Sequence, residues 1–345
     1  MKFEAVTIKD IAKALGLSTS TVSRALRDSY EISPETKQAV LEYARQINYR
    51  PNPIALSLKE KRSRSIGVVV SEIANSFFSQ AINGIESIAY TKGYHVIITQ
   101  SLESYEREVM NMQFLSSRSV DGCLISVSSE TNDFSHLSDL YQRGLPIVCF
   151  DRVVEDIPCH KVTVDNFQGA YDATAHLIRN GFRKIAFIAN AEVLSITRDR
   201  QAGYRKALED HGLPFDPAYV QYCLHGGMRL DEVESAVEGL LRLSSRPDAI
   251  FASSDKLTTN CMRYFKKQHV RIPDDVGVMG FSNLDLTDLM APSLSVVRQP
   301  AYEMGRLAAD MLIRVIESKK PETEFENRVL PAEILVRESS VKGKR

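Results

Sequence analysis

A small all-α headpiece joined by a short linker to a larger α/β body of doubly wound parallel sheets is the fold class this 345-residue chain predicts. Three observations carry that expectation. Helix-period apolar stripes separated by capping residues fill the first fifty positions. From Ser65 onward, short apolar runs alternate with amphipathic segments. Positive charge gathers at the start: residues 1–64 hold 12 lysines and arginines against 7 acids, and the remainder holds 31 against 37. A basic head on an acidic body is the layout of a nucleic-acid-binding module attached to something else.

The first element is Thr7–Leu26, TIKDIAKALGLSTSTVSRAL. Ile8, Ile11, Ala12 and Leu15 fall on one face of a helix. Gly16 ends it in the left-handed conformation that a residue without Cβ adopts freely. Ser18 caps a second helix whose buried face is Val22, Ala25 and Leu26. Thr19, Ser20, Ser23, Arg24 and Arg27 remain on its outer face as hydroxyl and guanidinium donors. This is the helix-turn-helix pattern, whose second helix enters the major groove; a packed helical hairpin without a nucleic-acid role would share the same stripes. A third helix starts at Ser33-Pro34, with Val40, Leu41, Ala44 and Ile47 inward.

Residues 51–64 follow as a linker, PNPIALSLKEKRSR. Asn52 and Pro53 can open a helix, but only about six residues separate them from the basic run. Helices shorter than ~12 residues are marginal in water because nucleation is costly. The segment is therefore expected to be helical only against a partner, and its Ile54, Leu56 and Leu58 favour a docking role.

The body, residues 65–340, shows ten strand-like runs beginning at Ile66–Val70 and ending at Leu294–Val297, with amphipathic segments such as Ala81–Tyr90 and Leu257–Lys267 between most of them. Strands buried on both faces and separated by helices imply parallel sheets. Ten are too many for one such sheet, so two lobes are expected: lobe 1 from 65–163 and 295–325, lobe 2 from 164–294 and 326–340. Ligands bind such sheets outside the carboxyl ends of the strands. Those ends carry hydroxyls, carboxylates, amides, arginines and the pair Phe77-Phe78, a lining suited to a polar small molecule such as a sugar or nucleoside.

Composition excludes other classes. Hydrophobic content of 43% and charged content of 25% are those of a soluble globular protein. No apolar run approaches the ~20 residues of a membrane span, and MKFEAVTIKD is too polar for a signal peptide, so a cytoplasmic protein with no membrane partner is expected. Five scattered cysteines without a CxxC fit a reducing compartment and argue against a zinc site. There is no GxGxxG, no GxxxxGK[ST], no nucleophile triad and no metal-ligand spacing among the seven histidines. No cofactor, metal or catalytic residue is expected, and an exported sugar receptor is disfavoured by the basic head.

The segments TIKDIAKALGLSTSTVSRAL, NYRPNPIALSLK, SIGVVV…NSFF, VDGCLI, FDR, RQAGY, SSD, DDVGVMGF and VRQP, in this order, resemble the lactose-repressor (LacI/GalR) family of bacterial transcription regulators. The resemblance runs from Thr7 to Arg337. It implies a periplasmic-binding-protein-like body and a repressor that binds a palindromic DNA operator as a homodimer under control of a small-molecule effector, a sugar or sugar derivative, held between the lobes. By position it implies that Thr19, Ser20 and Arg24 face bases, with capping or phosphate contact the alternative for the two hydroxyls. Ser23 and Arg27 join them on the DNA side. Asn52, Ile54, Leu58 and Lys59 belong to a hinge helix in the minor groove, Leu58 wedging between base steps. For the effector it implies Phe77, Phe78, Asp151, Arg200, Asp255, Ser282, Asn283 and Gln299. Arg200 would clamp a ligand oxygen or form an inter-strand ion pair; Asp255 would bind ligand or cap the following helix. Ser282 stands where many relatives have aspartate, and Asn283 is placed to compensate. The nine residues after Val336 carry no leucine heptad, so a dimer is expected rather than a coiled-coil tetramer.

Leu58→Ala is expected to weaken DNA binding strongly in a mobility-shift titration while leaving effector affinity unchanged; unaltered DNA affinity would remove the wedge.

Overall fold

The computed structural model describes residues 6–49, 62–155, 157–318, 320 and 322–342. They divide into two units, Met1–Ser63 and Arg64–Arg345. The linker positions Asn52, Ile54, Leu58 and Lys59 lie outside the described residues.

The first unit holds α1 (Ile8–Leu15), α2 (Thr19–Ala25) and α3 (Pro34–Gln46). Each start is capped as the residues dictate. The Thr7 N–H and hydroxyl both donate to Asp10, at 2.8 and 2.7 Å, and these bonds hold the Asp10 carboxyl below its ordinary range. Ser18 Oγ accepts from the Thr21 N–H at 3.0 Å, and Ser33 Oγ from that of Thr36 at 3.3 Å, with Pro34 in the first turn. Gly16 takes φ +64°, turning the chain between α1 and α2. Ile11, Ala12, Val22, Ala25, Val40 and Ala44 make the core. Leu41, expected inward, is 39% exposed; it follows Val40 directly, and one residue is 100° around a helix, off the buried stripe.

The second unit contains two six-stranded sheets. The strands are β1 (Ser65–Val70), β2 (His95–Gln100), β3 (Gly122–Ile125), β4 (Ile147–Phe150), β5 (His160–Val164), β6 (Ile185–Ala189), β7 (Val220–Tyr222), β8 (Ala249–Ala252), β9 (Gly277–Phe281), β10 (Ser295–Arg298), β11 (Asn327–Leu330) and β12 (Glu333–Leu335). The helices are α4 (Ser76–Thr91), α5 (Tyr105–Ser117), α6 (Ser135–Gln142), α7 (Asn166–Arg179), α8 (Ser195–Asp210), α9 (Leu230–Leu241), α10 (Asp255–Lys267) and α11 (Ala301–Glu317). Lobe 1 runs β11-β5-β4-β3-β1-β2 and lobe 2 runs β12-β10-β9-β8-β6-β7. All pairings are parallel except β12 against β10. Each sheet reverses its strand order beside its first strand, at β1/β3 and at β6/β8, the position where such sheets accept ligands.

Two boundaries of the expected lobes are corrected. Residues 295–298, assigned to lobe 1, form β10 and pair with β9 of lobe 2. Residues 327–330, assigned to lobe 2, form β11 and pair with β5 of lobe 1. The chain thus crosses between lobes after β5, after β10 and between β11 and β12. Apolar content marks a strand but not which sheet completes its hydrogen bonds, so linear order misplaced both. Neither β11 nor β12 was among the ten expected runs: Asn327-Arg328-Val329 are exposed on a sheet edge and carry no buried pattern.

In each lobe a helix pair is brought together by glycine. A Cβ on Gly84 of α4 would sit 2.0 Å from the Tyr302 carbonyl oxygen, and one on Gly305 of α11 would sit 2.0 Å from that of Ala81. In lobe 2, Gly203 of α8 has the same relation to Phe167 of α7, at 2.2 Å. A side chain at any of these positions must push two backbones apart. Gly305→Ala is expected to destabilise the body by about 1–3 kcal/mol, seen as a lower melting temperature by circular dichroism; an unchanged melting temperature would refute this account of the α4–α11 contact.

Candidate functional site

In the headpiece, α2 keeps its polar face outward. Thr19, Ser20, Arg24 and Arg27 are exposed and Ser23 is half-buried. Ser20 Oγ lies 2.7 Å from Ser18 Oγ, within the cap. Arg27 folds back on its own helix, its Nη2 donating to Ser23 Oγ at 2.6 Å and its Nε to the Ser23 carbonyl at 3.1 Å. Arg24 pairs with Glu31 at 2.8 Å, with 56% and 45% of the two side chains exposed. Such a pair is worth ~0–1 kcal/mol and yields readily to a phosphate or a guanine edge.

In the body, the carboxyl ends of both sheets meet, and Arg200 stands at the junction. It is 2% exposed, on the second turn of α8. Its Nε donates to Asn166 Oδ1 at 2.8 Å, its Nη1 to the Ser253 carbonyl, and its Nη2 to Gln299 Oε1 at 3.2 Å. The guanidinium also lies 3.9 Å from the centre of the Phe281 ring. Burial pulls Arg200 down to about 10, with Asp151 acting the other way. The inter-strand ion pair is thus not what holds Arg200; amide and carbonyl oxygens do.

Asp151 sits just beyond β4 in the left-handed region, φ +60°. Ser126 Oγ donates to it at 3.4 Å, and Arg152 Nε lies 4.0 Å away. Burial raises its carboxyl, and the opposing influence of Arg152 and Arg200 does not cancel that. Asp255 opens α10, but Ser254 is the cap residue and no side chain caps the helix. The Asp255 carboxylate turns to the loop after β9, accepting from Ser282 Oγ at 2.6 Å and the Asn283 N–H at 2.8 Å. The capping alternative is therefore set aside. Burial raises Asp255 as well, against hydrogen bonds from Ser282, Asn283 and Phe77.

Asn283 has every amide atom in use. Its Nδ2 donates to Gln80 Oε1 at 2.8 Å and to the Gln299 carbonyl at 2.7 Å, and its Oδ1 accepts from the Gln299 N–H at 3.1 Å. Gln80 Nε2 in turn donates to the Asn283 carbonyl at 3.0 Å. Asn283 is a tie between lobes. A second tie joins Lys256 Nζ to Glu72 Oε1 at 2.9 Å. Phe77 and Phe78 belong to the lobe-1 core, edge to face with each other at 5.1 Å, and Phe78 likewise meets Phe150 at 6.4 Å.

Sequence reasoning passed over the residues that organise the lobe-1 half. Glu103 binds Arg152 in a fork, at 2.6 and 2.9 Å, and accepts the Ser129 N–H at 2.8 Å. Burial alone would raise Glu103, but Arg152 and Ser129 hold it below the usual carboxylate range. Both residues lay in stretches recognised as strand ends, and what was missing was their mutual contact across 49 positions. The buried hydroxyls of Ser101, Thr197 and Ser253 have no hydrogen-bond partner among the described residues; buried polar groups are nearly always satisfied, so these three have capacity left for a group from outside the chain. The Ser129 side chain, by contrast, hydrogen-bonds Glu103, and that of Gln299 hydrogen-bonds Asp151. Beside the Lys256 tie, a cavity of 250 Å³ is lined by Asn75 and Ser76 from lobe 1 and by Lys256, Asn260 and Arg263 from lobe 2. Among the described residues no group of three or more His, Cys, Asp or Glu could hold a metal, and no helix is long and apolar enough to cross a membrane.

Because Asp151 binds its proton above the ordinary range, the folded state takes up a proton before the unfolded one as pH falls, and wild-type stability gains over that window. Asn tolerates positive φ and carries no charge. The melting-temperature difference between Asp151→Asn and wild type should therefore be larger, in favour of Asn, at pH 7 than at pH 4; a difference independent of pH would contradict the raised carboxyl.

Residues 7–52 match the family described as bacterial regulatory proteins, lacI family, and residues 174–340 match the periplasmic binding protein-like domain. A ribose operon repressor from Halalkalibacterium halodurans is 33% identical over 338 residues, covering 98% of each chain. Among solved structures, a complex of the transcriptional regulator CelR with cellobiose is 28% identical, covers 97% of this chain and 99% of its own, and superposes with a TM-score of 0.71. The lac repressor dimer bound to operator and an anti-inducer has a TM-score of 0.82 over 98% of this chain and 100% of its own; at 22% identity it speaks for the fold alone. The chain belongs to the lacI family of bacterial regulatory proteins and is a DNA-binding transcriptional regulator, not an enzyme.

Proposed function

We propose that the chain represses transcription as a homodimer on a palindromic operator and that a sugar or sugar derivative, bound between the lobes of the body, sets its DNA affinity. The observation that carries the effector half is a pair of buried serine hydroxyls with no hydrogen-bond partner among the described residues, Ser101 at a lobe-1 strand end and Ser253 at a lobe-2 strand end. The names of the ribose operon repressor and of the CelR–cellobiose complex support the carbohydrate class.

On the DNA side, Thr19, Ser20 and Arg24 contact base edges while Ser23 and Arg27 steady the helix against phosphates. Asn52, Ile54, Leu58 and Lys59 form the hinge. In the cleft, Asp151 and the Gln299 side chain that hydrogen-bonds it meet the ligand hydroxyls. Arg200 sets the position of Gln299 and of the Ser253 loop. Ser282 does not leave the ligand without an acceptor, since its hydroxyl holds the Asp255 carboxylate beside it. Asn283 and Gln80 latch the closed pose, with Phe77 and Phe78 as its apolar floor. Ligand binds the closed pose more tightly than an open one, and that differential affinity is the coupling energy available to the hinge.

Selection from a pool of random duplexes by mobility shift tests the DNA half. The intact chain is expected to enrich a palindrome and a chain lacking residues 1–64 to enrich none; equal retention by both would overturn the reading.

A further inference from the structure

A protein holds DNA through the cations and donors it can bring to phosphates and base edges. In this head one such cation is already engaged. We propose that Glu31 is an internal competitor for Arg24: it holds the guanidinium in the free head, is displaced when DNA binds, and so sets the DNA affinity of the head below what its cations alone would give. The inference rests on the reading that Arg24 contacts DNA.

Arg24 stands on the outer face of α2, and its Nη1 lies 2.8 Å from Glu31 Oε2. A guanine edge is read by two N–H groups of one guanidinium, donating to O6 and N7. With Nη1 on Glu31, the fork of Nη1 and Nη2 is not free for that purpose. Charge adds to the conflict. The carboxylate accompanies the guanidinium, so a polyanion approaching α2 meets a neutral pair there instead of a cation. Arg27 is held differently. Its partners are the Ser23 hydroxyl and carbonyl, and neither cancels its charge.

The encounter of Arg24 with Glu31 is built into the fold of the head. After α2 the chain doubles back: the Asp28 N–H donates to the Ala25 carbonyl at 3.2 Å, the Ser29 N–H to the Arg24 carbonyl at 3.1 Å, and the Ile32 N–H to the Ser29 carbonyl at 3.3 Å. Asp28 takes φ +56°. Lys37 of α3 fastens it there, its Nζ donating to the carboxylate at 2.7 Å and to the carbonyl at 3.4 Å. Ile32, directly after Glu31, packs against the headpiece core. Glu31 is thus held between a turn bonded to α2 and an apolar anchor, and from that position its side chain returns to Arg24. Lys37 is engaged with Asp28, so Arg24 is the cation that answers Glu31.

The effect is small by construction. The two side chains are 56% and 45% exposed, so solvent screens the pair and a DNA contact can displace it. A contact made in the free head and lost in the complex lowers affinity by its own worth, without any change in the body.

The test uses the full chain in anisotropy titrations with a duplex enriched from the random pool. Glu31→Gln removes the charge and keeps the size of the side chain; it is expected to tighten binding about two- to fivefold. In an Arg24→Ala background the same change should give a gain close to unity, because no guanidinium is left to release. Neither substitution opens the core, and the helical signal by circular dichroism should match that of wild type. An equal gain in both backgrounds would mean that Glu31 acts on phosphates directly, and would overturn the proposal. Unchanged or weaker binding by Glu31→Gln would overturn it too, the latter by showing that Glu31 steadies Arg24 in the complex. Wild-type affinity in Arg24→Ala alone would instead remove the reading that Arg24 contacts DNA, and the proposal with it.

Discussion

A guanidinium removed from water is the constraint around which the body is arranged. Transferring Arg200 into the junction of the two sheets costs several kcal/mol, which only close and well-aimed oxygens can offset. They come from three separate stretches: Asn166 where the chain has just crossed from β5 into α7, Ser253 at the end of β8, and Gln299 where β10 leaves lobe 2. Two of these are crossover points. One side chain therefore ties a lobe-2 strand end to two segments at which the chain crosses between the lobes. Asp151 adds a buried negative charge whose field reaches Arg200 without a direct bond. Gln299 spans the two, accepting from Arg200 through Oε1 and hydrogen-bonding the Asp151 carboxylate.

Polar ties across the cleft include the Gln80–Asn283 exchange, Gln80 Nε2 to Asp285 at 3.3 Å, the Phe77 N–H to the Asp255 carboxylate and the half-exposed Lys256–Glu72 pair. Each is worth on the order of 1 kcal/mol or less once solvent screening is counted. Ties of this size exchange for others at small cost. A cleft tied by a large apolar interface would stay shut whatever it contained.

The fold was legible because its signals are local. The caps at Ser18 and Ser33, the glycine turn at Gly16 and the continuous apolar runs of the central strands each follow from a few adjacent residues, and each appears in the structure. What escaped was what only pairing creates. β10 and β11 changed lobes, because a strand's partner is chosen by the whole sheet. Asp255 binds the loop after β9 instead of capping its own helix, since Ser282 offers a closer donor. Asn283, expected to serve the ligand, has its amide consumed by Gln80 and Gln299. Glu103 and Arg152 were visible as residues at strand ends, but their fork spans 49 positions and no spacing rule announces it.

The headpiece works under a different limit. Six buried residues, three of them alanine, leave it with a thin core, and a fold of about fifty residues buries too little surface to be rigid by itself. Among the described residues, Arg24 is tied to the exposed carboxylate of Glu31, Lys37 to that of Asp28, and Arg27 to Ser23 of its own helix. These contacts are cheap to exchange for phosphates. The excess of 12 basic over 7 acidic residues up to Arg64, against 31 and 37 beyond it, then gives direction to the exchange: DNA attracts the head and repels the body. Affinity for the backbone is supplied by charge that is always present. Control by a small molecule must therefore act on geometry, because an effector bound in the body cannot alter the charge the head presents.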